Sequence, residues 1–171
     1  MRNRAIACHA VLPAVLALLL ALGCASRFAP SDGEALRLSE LDGGGDATRR
    51  ASLRLCVEGL DAEIAGRSSS ALVYYERAIQ LDPTNPYAYL VLARHQLEMG
   101  DPEEALGYLD RAQQQLDSEQ ARSPGVDAHL AGLRGASLDA AGRDGAEHLS
   151  YARLTAPSVW GDGRLSAAEL R

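Results

Sequence analysis

Ala71-Leu72-Val73-Tyr74-Tyr75-Glu76-Arg77-Ala78 returns thirty-four residues later as Ala105-Leu106-Gly107-Tyr108-Leu109-Asp110-Arg111-Ala112. Ala, Leu, Tyr, Arg and Ala recur unchanged, Glu76 becomes Asp110, and Tyr75 becomes Leu109. The same offset pairs Leu55 with Tyr89, Gly59 with Ala93 and Gln80 with Gln114. A fixed period of this length marks a helical repeat array, in which each unit buries a face on its neighbour. Small residues at Gly59/Ala93, Ala71/Ala105 and Ala78/Ala112 suit closely packed helices, and the aromatic or leucine between them fills the remaining gap. The fold class is therefore all-α, built of closely packed helix pairs.

Helix punctuation brackets the repeat. Thr48 can cap a helix from about Arg49 to Ala65, with Leu53, Val57, Leu60 and Ile64 on one stripe. Gly66-Arg67 stops it, and Ser68 or Ser69 caps a second helix that ends at Leu81, before Pro83. Asn85 with Pro86 opens the next helix, which carries Tyr89, Leu92, Ala93 and Leu97 and stops at Gly100. Asp101-Pro102-Glu103-Glu104 is a further start, because an aspartate cap and first-turn acids favour a helix N-terminus. That helix has no proline at the expected end and runs on to about Ala121. A third, diverged unit begins at Ser123-Pro124, passes Leu130, Leu133, Leu138 and Ala141, and breaks at Gly142-Arg143. Its partner helix spans Asp144 to Thr155, with Ala146, Leu149, Tyr151 and Ala152 at the motif positions.

Counted from Ser52, the residues Leu55, Gly59, Ala71, Tyr75, Ala78 and Pro83 resemble the tetratricopeptide pattern. The resemblance covers about Arg49 to Pro157. It implies a short right-handed superhelix of antiparallel helix pairs whose concave side, supplied by the first helix of each pair, binds a peptide or another protein. Mapped residue by residue, it places Leu53, Val57, Leu60, Tyr87, Leu90, Val91, Arg94 and Glu98 on that partner-binding face, with Arg94 as an orienting charge.

At the N-terminus, Arg2 and Arg4 precede an uncharged run whose apolar core is Val11 to Leu22, too short for a spanning helix and suited to a signal peptide. The run ends Leu20-Ala21-Leu22-Gly23-Cys24, which resembles the lipobox of bacterial lipoproteins. That resemblance implies cleavage after Gly23 and acylation of Cys24, hence anchorage to a membrane of the bacterial envelope, with the outer membrane facing the periplasm as the expected address. A soluble secreted protein and an uncleaved signal-anchor are the other readings. The expected organisation is a signal peptide over 1–23, a flexible tether over 24–47, an array over 48–157 (repeats at about 52–85, 86–119 and 123–157) and a tail over 158–171. Pro30, Ser31-Asp32-Gly33 and Gly43-Gly44-Gly45 are linker chemistry, Glu34 to Leu41 could form a short helical turn, and a coil of this length reaches on the order of 25 Å.

The chain has 171 residues and a net charge of −6, and all 17 basic residues are arginine. Acidic composition without a basic stripe argues against nucleic acid as a partner. With Cys8 in the leader and Cys24 acylated, Cys56 is left as a lone thiol, expected to pack as a small hydrophobe. Asp162, Gly163, Ser166 and Glu169 fit the second half of a calcium loop, but Ser158 and Trp160 stand where carboxylates are required. A Ser166-capped helical tail with Glu169 completing a capping box explains the same residues, so no metal site is expected. No phosphate loop, paired metal ligands or nucleophile elbow is present, so neither catalysis nor a cofactor is expected. The functional expectation is an anchored scaffold for protein–protein interaction. The alternative is a structural subunit of a pilus, secretion or cell-wall assembly, without a peptide groove of its own.

Overall fold

The computed structural model describes residues 35–44 and 46–171, so the signal segment and Cys24 lie outside the described residues. Helices are the only regular elements among them. A 3₁₀ turn over Leu38–Glu40 is followed by α1 (Ala47–Ile64), α2 (Ser68–Leu81), α3 (Pro86–Met99), α4 (Pro102–Glu119), α5 (Pro124–Ala140) and α6 (Ala146–Thr155). Two single-turn pieces close the chain, α7 (Pro157–Trp160) and α8 (Ala167–Leu170). The pairs α1–α2, α3–α4 and α5–α6 pack as hairpins, α2 on α3 and α4 on α5 join the hairpins, and α3 touches both α1 and α5. This is the expected all-α stack of helix pairs. Among the described residues, no helix is long and apolar enough to cross a membrane.

Local chemistry sets most helix ends. The side chain of Asn85 accepts from Tyr87 N at 3.0 Å and Asp101 accepts from Glu104 N at 3.3 Å, each followed by proline at the first helical position. Ser123 caps α5 through Val126 N. Three ends differ from the expected ones. Asp46, not Thr48, caps α1, because its carboxylate reaches Thr48 N at 2.7 Å, and the helix starts about two residues earlier. Arg67 takes the cap position of α2 without a side-chain bond, leaving both serines inside the helix. Helix α4 stops at Glu119, where Gln120 adopts a left-handed φ of 53°.

The repeat positions are the core. Ala71, Ala78, Ala105 and Ala112 are fully buried, as are Tyr75 and Leu109. Gly59 lies against the Tyr75 ring, leaving no room for a Cβ. Cys56 is buried beside them, and burial pushes its thiol up to about 12, which makes it a packing residue. Repeats are also stitched together by polar groups: Asn85 Nδ2 donates to Ser52 Oγ, which donates to Ala78 O, each at 2.8 Å. Arg49 bonds Asp82 at 2.5 Å and Glu119 at 2.7 Å, clamping α1 to the α2–α3 loop and the end of α4.

The third hairpin leaves the period. Helix α4 has 18 residues where α2 has 14, so the later motif is displaced. Leu149 and Ala152 are buried at the seats of Leu109 and Ala112, forty residues on, and Gly145 takes the seat of Ala105. Ala146 and Tyr151, which the sequence pattern places at motif positions, are exposed. Gly145 is required by backbone proximity: a Cβ there would run into the carbonyl of Gly135 in α5. Helix α6 begins at Ala146 and not Asp144, because Asp144 Oδ1 accepts from Ala146 N and forms the turn before it.

Both flanks of the array fold back onto it. Within the stretch assigned to the tether, residues 35–41 pack on the array: Leu38 is 1% exposed, and Leu36 and Leu41 are half-buried. Three leucines in six residues supply an apolar edge that linker chemistry alone does not disclose. The tail is held as well. Ser166 and Glu169 form the expected capping box on α8, and Trp160, Leu165 and Leu170 are buried.

Candidate protein-binding face

Helices α1, α3 and α5 are the first members of their pairs and share one side of the stack. Two chain segments cross that side. The tail leaves α6 through α7, places Trp160 on α5, passes α3 at Gly163–Leu165, and lays α8 against α1. The N-terminal segment runs beside it, and Ser39 N donates to Arg171 O at 2.9 Å.

Trp160 is the centre of this arrangement. Its ring occupies the space that a Cβ on Gly132 would need, so the glycine in mid-helix is explained by close approach. The indole Nε1–H donates to His129 Nδ1 at 3.1 Å, and His129 Nε2 donates to Leu36 O at 3.2 Å. These two bonds fix the neutral tautomer of His129 with its proton on Nε2. Burial pushes the imidazole pKa below 6.5, against the opposing pull of the Leu36 carbonyl and Glu169. At the other end of the tail, Arg171 pairs with Asp61 of α1, with both side chains about half exposed.

The sequence-derived face residues fall into two groups. Leu53, Leu60, Leu90 and Val91 are buried, and all but Leu53 belong to one cluster with Leu38, Trp160, Leu165 and Leu170. Leu53 and Val57 line a hollow with Leu38 and Leu41, about 390 Å³ in volume. Tyr87 is half-buried and Glu98 is exposed. Arg94 is 4% exposed and forms a buried ion pair with Glu63 of α1, whose other oxygen meets His95 Nδ1. Burial brings Arg94 down to about 10. Sequence reasoning met Trp160 only as a non-ligand in the calcium-loop comparison and as part of the tail that the subunit alternative would use, and it did not find Gly132 or His129. The signal available was a helix interior with glycines at 132 and 135, which costs stability unless another chain segment approaches closely.

An open cavity of about 440 Å³ lies between α3, α5, α6 and the tail, bordered by Arg94, Leu97, Glu98, Ala136, Arg153 and Arg164 among others. Among the described residues, no cluster of His, Cys, Asp and Glu has the arrangement of a metal site.

Residues 64–123 match a family model described as tetratricopeptide repeat. The matched span runs from the last residue of α1 to the cap of α5, and it supports a protein containing such repeats. No curated protein and no solved structure matches the chain.

Proposed function

We propose that this chain is a lipid-anchored scaffold of the bacterial cell envelope whose tetratricopeptide array holds a protein or peptide partner on the face of α1, α3 and α5. The observation that carries the reading is the repeat match over residues 64–123, which covers α2, α3 and α4, with α3 lying between α1 and α5 on one side of the stack. Of the residues assigned to that face, Glu98 is exposed and Tyr87 and Val57 are half-buried, so these are the ones a partner would reach first, while Leu53, Leu60, Leu90, Val91 and Arg94 are buried beneath. Anchorage is supported by Leu20-Ala21-Leu22-Gly23-Cys24 alone. Acyl chains contribute about 0.8 kcal/mol per buried methylene, so more than one chain anchors stably. The outer membrane facing the periplasm is the proposed address.

A second reading, a structural subunit of a larger envelope assembly, is favoured by one observation. Helix α6, the last of the hairpins, exposes Leu154 at 78% and Tyr151 at 45%, an apolar edge suited to a further packed element.

The test joins anchorage to capture. With a fatty-acid analogue supplied in growth, wild type takes up label and fractionates with membranes, and Cys24→Ser does neither. Labelling that survives Cys24→Ser would remove the anchor from the account. Cross-linked capture from the membrane fraction should weaken with Tyr87→Ala and survive Leu154→Asp; the reverse pattern selects the subunit.

A further inference from the structure

We propose that the face of α1, α3 and α5 receives a short segment of a partner protein, anchored by one large aromatic and two aliphatic side chains at five-residue spacing, and that residues 157–171 of the chain itself hold this seat until such a segment displaces them. The inference rests on the protein-interaction reading above and names the chemistry of the partner.

The tail displays the recognition pattern. Trp160, Leu165 and Leu170 stand five residues apart and are 0%, 5% and 0% exposed, while Gly161, Asp162, Arg164, Ser166 and Ala168 between them face solvent. Recognition is by side chains. The main-chain bonds of the tail are internal, from Val159 and Trp160 to Ala156, Gly163 to Trp160, Leu170 to Ser166 and Arg171 to Ala167. The one to a distant segment is from Ser39 N to Arg171 O. A segment held by apolar side chains, with Val159 buried beside Trp160, and by a self-satisfied backbone can be replaced without opening a helix of the array. The seat is complementary in detail: Gly132 gives a floor for an indole, His129 Nδ1 accepts its N–H, and Asp61 receives a terminal cation. The Arg171–Asp61 pair is exposed, so it orients more than it binds.

The seat is also wider than its occupant. The cavity of about 440 Å³ beside residues 163–165 is bordered by Leu97, Ala136, Arg94 and Glu98, which an apolar side chain in the place of bare Gly163 would reach. A partner segment that fills it gains contacts the tail lacks, and this gives a direction to the exchange. Intramolecular occupancy lowers the apparent affinity of any competitor by the fraction of time the seat is open.

The probe is a fluorophore-labelled peptide of sequence Pro157 to Arg171, added to the full chain in detergent. The wild type should bind it weakly, and a Trp160→Ala/Leu170→Asp chain about tenfold or more tightly, since the indole site and the α1 end of its seat then stand open. Replacing the tryptophan of the peptide by alanine should abolish binding. Hydrogen exchange on the wild type supplies the second measurement: amides of 163–171 should exchange through local opening, well ahead of those in α3 and α5. Exchange of the tail only with the whole array, or equal peptide affinity in both chains, overturns the proposal. Should the double variant lose its helicity, the exchange pattern decides by itself. A dimer of the wild type that Trp160→Ala/Leu170→Asp abolishes would make the occupant a second copy's tail, and would also overturn it. If an opened chain ignores the peptide yet captures a protein through Tyr87, only this inference fails. If neither chain binds peptide or protein, the interaction reading fails with it.

Discussion

At the scale of single residues, burial assigns roles that composition could not. Arg94 has the appearance of a surface contact at helical spacing from Tyr87, yet it is buried against Glu63. Removing one member of a buried ion pair strands the other charge and typically costs about 3–5 kcal/mol. Arg94→Ala should therefore lower the denaturant midpoint sharply, and a double Glu63→Gln/Arg94→Met chain should recover much of the loss; a neutral Arg94→Ala would place the guanidinium in water. His129 makes a prediction with a sign. Its folded pKa lies below the ordinary 6.5, so the unfolded chain binds the extra proton first as pH falls. The stabilisation is complete above that value and is lost progressively below it, because an imidazolium cannot accept from the Trp160 indole. Urea midpoints taken from pH 8 down to pH 5 should fall, and His129→Gln should flatten part of the slope. His95 is pushed the same way by burial and Arg94, so some slope remains in the variant.

At the scale of elements, the sequence discloses what is local and periodic. Asn85-Pro86, Asp101-Pro102, Ser123-Pro124 and Ser166 with Glu169 each carry their capping geometry within four residues, and each opens a helix where expected. The repeat octet discloses which faces meet, because Ala71 and Ala105 leave room for nothing larger. Ala105→Leu should overpack α3 against α4 and cost roughly 1–3 kcal/mol, seen as a lower thermal midpoint, while exposed Gln114→Leu should leave it nearly unchanged. Equal effects would mean these positions do not share the proposed contacts. The third hairpin was harder to read. An extra turn in α4 shifts the register, and backbone contact at Gly135 and Gly145 replaces the alanine contact that the motif advertises.

At the scale of the whole molecule, the least legible feature is the one that shapes the binding face. The spacing of Trp160, Leu165 and Leu170 matches neither a helix nor a strand, and their partners lie on α5, on α3 and on α1, the last more than a hundred residues earlier in the chain. Only the folded stack brings α1, α3 and α5 to one side, and only then do the tail and residues 35–41 become part of it. Trp160 is the single tryptophan of the chain, so its emission reports this docking without a label. Gly132→Ala tests it most directly. A methyl at 132 favours helix α5 by about 1 kcal/mol in propensity, yet falls within the Trp160 ring. Wild-type emission should be blue-shifted and poorly quenched by acrylamide, and that of Gly132→Ala red-shifted and readily quenched with its helicity intact. Solvent-exposed emission in the wild type, or emission indifferent to the methyl, would contradict this docking.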